Sequence, residues 1–194
     1  MSVKLTDSKR IAVVIVFTAV SVALAFSPAK IPAPYAPFLV YQIWEIPIVA
    51  AFLLYGLSVG VLITVLNTIV LLIIYPGALP TGPLYNLAAI SSMLLGVHVV
   101  RKFAVRFFNA RRESTLAISF TVVGVASRVG VMSIVNWICL QFPYPIGYGL
   151  AEEAVTTVYL PLIGIFNATL ALYTIPTSYF LARAINTRTK VTEI

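Results

Sequence analysis

The sequence is short of almost everything a soluble enzyme uses. Its 194 residues include one histidine, one cysteine and six acids, and charged residues make up 10%. Soluble domains carry about 25% charged residues. A lone Cys139 excludes a disulfide framework or a thiol metal site within the chain. A lone His98 with no clustered carboxylates gives no zinc or iron ligand set, so neither a metal nor a cofactor is expected. No Gly-x-x-x-x-Gly-Lys-Ser/Thr sequence occurs, so the chain does not itself hydrolyse ATP through a P-loop.

What is present is apolar. Hydrophobic residues make up 60% and the mean hydropathy is +1.01, more than one soluble core can hide. The chain reads as an integral membrane protein. Its apolar runs are too long for barrel strands and lack their alternation. Ile11 to Phe26 is long for a signal peptide and reads as a first membrane helix.

Six segments follow from the punctuation. They run roughly over 10–27, 45–57, 59–75, 84–100, 115–142 and 157–185. A link rich in proline (Pro28, Pro32, Pro34, Pro37) favours extended structure after the first. Pro47 suits the first turn of the second. Tyr75-Pro76-Gly77 stops the third, and Pro80 and Pro83 mark the next link. Phe142-Pro143-Tyr144-Pro145 ends the fifth. Pro161 and Pro176 bend the sixth or mark its start.

The net charge is +7, but the basic residues gather at segment ends. Lys4, Lys9 and Arg10 precede the first segment. Arg101, Lys102, Arg106, Arg111 and Arg112 lie between the fourth and fifth. Arg183, Arg188 and Lys190 follow the sixth. Six spans put all of these on one side, the positive-inside pattern with both termini cytoplasmic. The expected fold is thus all-α: one membrane domain over residues 1–194, six transmembrane helices, and the proline-rich links outside.

Four asparagines interrupt the apolar runs: Asn67, Asn86, Asn136 and Asn167. An amide in hydrocarbon costs free energy unless it finds a hydrogen-bond partner. Interhelical hydrogen bonding is one reading. For the set, an outward-facing ligand pocket is favoured, because amides offer both donors and acceptors to a neutral polar solute. Tyr41, Trp44, Tyr85, Trp137 and Tyr144 lie beside them and suit stacking on a planar ligand or an interfacial belt. Trp137 is the better pocket candidate, while Tyr41 and Tyr144 lean to belt or loop. Arg128, within the fifth span, needs a partner or a route to snorkel. Glu45 is the candidate mate, and an ion pair or snorkelling is favoured over ligand binding. Small residues Ala12, Ala19 and Ala23, and Gly56-Leu57-Ser58-Val59-Gly60, mark close helix approaches within the chain or with a partner.

Three stretches carry a family resemblance. Trp44-Glu45-Ile46-Pro47 with Gly56 to Val61 and Leu66-Asn67 is one. Arg128 to Trp137 ending near Pro143-Tyr144 is another, and Tyr159-Leu160-Pro161 with Phe166-Asn167 is the third. Together they resemble the substrate-binding S component of energy-coupling factor (ECF) transporters, most closely the riboflavin-specific group. The resemblance implies a vitamin pocket near the outer face, with the 28–44 and 76–83 links as lids. It implies docking through Ala19 and Ala23 on a transmembrane coupling subunit, with two ATPase subunits, in a prokaryotic cell membrane. On this reading the substrate-binding residues are Asn67, Asn86, Asn136, Trp137, Asn167, Tyr41, Trp44, Glu45 and Tyr85. Two departures stand out: Leu66 replaces a lysine before the third-helix asparagine, and Asn167-Ala168-Thr169-Leu170 lacks a lysine-glycine pair. Riboflavin is the first expectation and pantothenate the next.

Glu152-Glu153 also resembles the acid pair of intramembrane CAAX-type proteases. Those place an arginine shortly after the pair and histidines later, and neither follows here. An intramembrane hydrolase and a non-transporting assembly subunit remain the other classes.

Overall fold

The computed structural model describes residues 7–28, 30–74, 79–107 and 113–189. Lys4, Arg111, Arg112, Lys190 and the Tyr75-Pro76-Gly77 stop lie outside them. The chain is a helical bundle with one small hairpin. Helix α1 (Asp7–Ala25) leads to strands β1 (Ile31–Ala33) and β2 (Ala36–Tyr41). Helices α2 (Glu45–Tyr55), α3 (Leu57–Ile74), α4 (Gly82–Phe107) and α5 (Glu113–Cys139) follow. The chain closes with α6 (Glu152–Ala154), a π-helical turn (Val155–Tyr159) and α7 (Leu160–Thr189), which run on without a break.

Among the described residues, five stretches are long and apolar enough to cross a membrane: α1, α3, the Gly82–Phe103 part of α4, the Thr115–Cys139 part of α5, and Glu152–Arg188. Helix α2, expected as the second membrane helix over 45–57, ends at Tyr55 and is not one of these stretches. It has 11 residues, so it rises about 16 Å, against the roughly 30 Å of a bilayer core. Instead it is the centre of the bundle. Residues Ile48 to Leu54 are all buried, with α1, α3, α4 and α7 around them. A helix apolar on every side belongs inside.

The sequence places the ends of α2 clearly. Glu45 is in its first turn, where the helix dipole favours an acid. Pro47 follows where backbone N–H groups have no helical partner. At the other end Gly56 takes φ +94°, and its N–H donates to Phe52 O at 2.8 Å. That conformation favours glycine. The Arg101 guanidinium donates to Leu53 O at 3.0 Å, placing a cation at the helix C-terminus.

The proline-rich link, expected to be extended, is also paired with itself. β1 and β2 are antiparallel, with Ile31 opposite Tyr41, Pro32 opposite Val40, and an irregularity at Pro32/Ala33. A two-stranded ribbon has only edges, which tolerate proline. The hydroxyls of Tyr35 and Tyr41 meet at 2.6 Å. Burial and that bond push the Tyr35 phenol up to about 12.

Hydroxyls within the helices bond back to their own turns: Thr64 to Gly60 O at 2.7 Å and Thr68 to Thr64 O at 2.8 Å. The last helix begins at Glu152, earlier than its apolar run suggests. Pro161 has no N–H and its ring crowds the carbonyl one turn back, which accounts for the widened turn before it. Pro176 lies inside α7.

Candidate functional site

The hairpin end of the bundle holds a cavity of about 430 Å³. Its walls come from both expected lids and five helices, with Ala25 from α1 and Leu71 from α3 among them. β2 supplies Phe38, Leu39 and Val40, and Gln42 and Trp44 follow it. The 79–83 link supplies Leu79, Gly82 and Pro83. From α4 come Tyr85, Asn86 and Ala89, and from α7 Ile163, Phe166 and Asn167. Helix α5 presents Arg128, Met132 and Asn136, one residue every four, and Leu140 follows just past its end. That spacing keeps the first three on one helical face.

The second lid is tied to the loop after α5. Thr81 Oγ1 donates to Pro145 O at 2.8 Å, and Tyr85 Oη to Ile146 O at 2.7 Å. The first lid is held at its base. Tyr173 Oη donates to Gln42 O at 2.6 Å, and Ser21 Oγ donates to Trp44 O. Tyr41 packs on Phe166 with ring centroids 4.9 Å apart.

A buried ion pair forms part of the wall. Arg128 is 1% exposed and Glu45 2%. Arg128 Nη1 donates to Glu45 Oε2 and Nη2 to Oε1 at 2.9 Å, a two-pronged contact. Arg128 Nε donates to Asn167 Oδ1 at 2.9 Å. Asn167 Nδ2 in turn donates to Ile163 O at 2.9 Å. Each partner sits on a different helix, so the cluster ties α2, α5 and α7 together. Breaking such a pair by removing one partner costs about 3–5 kcal/mol, because a charge is left buried and unpaired.

The expected site residues divide into three groups. Trp44, Tyr85, Asn86, Asn136 and Asn167 line the cavity. Glu45 and Tyr41 stand behind lining residues, Glu45 on Arg128 and Tyr41 on Phe166. Asn67 and Trp137 are not among the lining residues. Asn67 is buried on α3 one turn from Leu71, which does line the cavity, and neither of its amide atoms has a partner among the described residues. Trp137, the favoured aromatic, is 42% exposed on the outer surface of α5. Its neighbour Asn136 faces inward, since adjacent helical residues point about 100° apart. Arg128 was expected to be structural; it is paired, and it also borders the cavity. Sequence reasoning missed Gln42, Met132, Tyr148 and Phe166. The four-residue spacing from Arg128 through Met132 to Asn136 was the signal that could have found Met132.

Ala12, Ala19 and Ala23 lie exposed along α1. Gly60 packs within the chain, where a Cβ would come within 2.6 Å of Phe52 Cβ. Glu152 and Glu153 are exposed and away from the cavity lining.

A scan of family models found no match, and neither did a search of curated proteins. A search of solved structures did. The chain superposes on the S component of a bacterial ECF transporter with a TM-score of 0.77. The match covers 95% of this chain and 99% of that one, at 22% sequence identity. The fold is that of an S component.

Proposed function

We propose that this chain is the substrate-binding subunit of an ECF-type importer, that the cavity under the hairpin is its substrate site, and that the substrate is a vitamin, riboflavin first. The observation that carries the reading is the cavity itself: about 430 Å³, lined by amides and aromatics, at the lid-bearing end of an S-component fold. Small-molecule sites run about 300–1,000 Å³, mostly apolar with a few placed polar groups. Phe38, Trp44, Tyr85 and Phe166 suit a planar ring, and Gln42, Asn86 and Asn136 suit a polyol tail.

In this reading residues 1–194 form one membrane domain with both termini cytoplasmic. α2 and α3 lead away from the cavity and back, so α2 is the sixth pass although short. The far ends of α1 and α7 lie on the side away from the cavity, where Lys9, Arg10, Arg183 and Arg188 gather. That charge pattern supports a cytoplasmic assignment for this side and an outward one for the cavity. A coupling subunit docks along α1 at Ala19 and Ala23, two ATPase subunits drive uptake, and the substrate leaves on the cytoplasmic side of a prokaryotic cell membrane. The chain performs no chemistry of its own.

The test is direct. The purified protein is expected to carry flavin absorption in the visible blue or to quench the fluorescence of added riboflavin at stoichiometric amounts. A colourless preparation that leaves riboflavin fluorescence unchanged removes the flavin assignment. Stabilisation by pantothenate in a melting assay would then replace it.

A further inference from the structure

Among the described residues that line the cavity, Arg128 is the only charged one. Its charge is already answered. Both nitrogens at the end of its guanidinium go to the two oxygens of Glu45, and Nε goes to Asn167. Met93 Sδ lies 3.8 Å from Nη1. Glu45 is buried, so Arg128 takes its whole charge and it takes that of Arg128. The wall of the cavity is therefore neutral, although it contains an arginine.

The polar groups left over are uncharged. Asn167 is used up, with Oδ1 on Arg128 and Nδ2 on Ile163 O. Asn136 gives Nδ2 to Met132 O at 2.7 Å, and its Oδ1 has no partner among the described residues. The side-chain amides of Gln42 and Asn86 make no hydrogen bond among the described residues. These amides offer donors and acceptors without charge. A carboxylate or phosphate entering the cavity would shed its water and meet a guanidinium whose charge is already paired and which keeps one N–H at Nη2, with Glu45 directly behind it.

Resting on the substrate-site reading above, we propose that Glu45 determines specificity: by neutralising Arg128 it makes the cavity take uncharged polar solutes and refuse carboxylates and phosphates. Glu45 does this without touching the ligand. Removing its charge alone turns Arg128 into an anion site.

Two measurements on the full chain in detergent test this. The first is equilibrium binding of matched pairs, riboflavin against riboflavin 5′-phosphate and pantothenol against pantothenate. The uncharged member of a bound pair is expected to bind tighter by about 100-fold or more, given the cost of burying an uncompensated charge. The second is melting of wild type, Glu45→Gln, Glu45→Asp and the uncharged double variant Glu45→Gln/Arg128→Gln, each with and without acetate and inorganic phosphate. Anions are expected to raise the melting temperature of Glu45→Gln alone. Glu45→Asp is expected to keep the wild-type selectivity, which a merely structural role for Glu45 would not require. If neither scaffold binds but anions still stabilise Glu45→Gln selectively, the vitamin reading fails and the charge selectivity stands. If both members of a pair bind equally, the selectivity fails and the substrate site stands. Equal anion effects on wild type and Glu45→Gln also overturn it, as does tight binding of pantothenate, itself a carboxylate, to wild type.

Discussion

The two ends of the bundle are built from the same apolar helices and are finished in opposite ways. At the hairpin end α3, α4, α5 and α7 hold a space between them, and Ala89, Met132 and Asn136 face it. At the other end the helices close. Gly60 takes Phe52 and Leu94 against its backbone, Gly96 takes Ser127, and Gly124 takes Val97 and Ile175. Some polar groups differ between the ends as well. Thr64 and Thr68 bond to their own helix, whereas Gln42 and Asn86 border the cavity with no partner among the described residues. Hydrophobicity alone does not separate the ends. Side-chain volume at the facing positions contributes: Gly60, Gly96 and Gly124 bring the helices together at the closed end.

The Arg128–Glu45 pair sits at the boundary and tests the comparison most severely. Arg128→Met strands Glu45, and a loss of about 3–5 kcal/mol is expected in unfolding. Glu45→Met/Arg128→Met is expected to recover most of it, since apolar replacements of buried pairs are often neutral. Failure of the double variant to recover would show that the wall needs the charges themselves.

Adding volume separates the two ends. Gly60→Ala places a methyl against Phe52 and is expected to cost about 1–3 kcal/mol of stability, while riboflavin affinity stays within about twofold. Ala89→Leu puts its added volume into the cavity and is expected to lose affinity by about tenfold or more while melting near wild type. If the two exchange phenotypes, the assignment of a packed end and a binding end is wrong.

Removing polarity sharpens the picture within the cavity. Asn136→Leu is expected to weaken riboflavin binding by about 10–100-fold, the worth of about 1–3 kcal/mol for a polar group left unpaired. Trp137→Phe, one residue along and facing outward, is expected to leave affinity within about twofold in the same titration.

The smallest expected effect is at the second lid. Tyr85→Phe deletes the bond to Ile146 O, worth about 0.5–1.5 kcal/mol. It is expected to appear as faster riboflavin release in stopped-flow fluorescence more than as lost stability.

Much of this was legible in the chain. The polar interruptions marked helices that do meet at a cavity, and Asn86, Asn136 and Asn167 all border it. Asn67 shows the limit: burial within a helix says nothing of which neighbour it faces. The proline-rich link announced extended backbone but not its pairing, because proline reports its own φ and not its partner across a ribbon. Helix α2 was legible as a short apolar segment over 45–57; only its neighbours show that it is central.

Sequence by itself determined the membrane class, the approximate helix positions and the gathering of basic residues at segment ends. These follow from hydropathy, helix-breaking residues and net charge, which act locally along the chain. Tertiary structure alone decided that Arg128 meets Glu45 across 83 residues, that Asn136 faces in while Trp137 faces out, and that the wall of the cavity is neutral. Those facts depend on how helices turn and pack against one another, and a charge is cancelled only by what lies within a few ångströms of it in space.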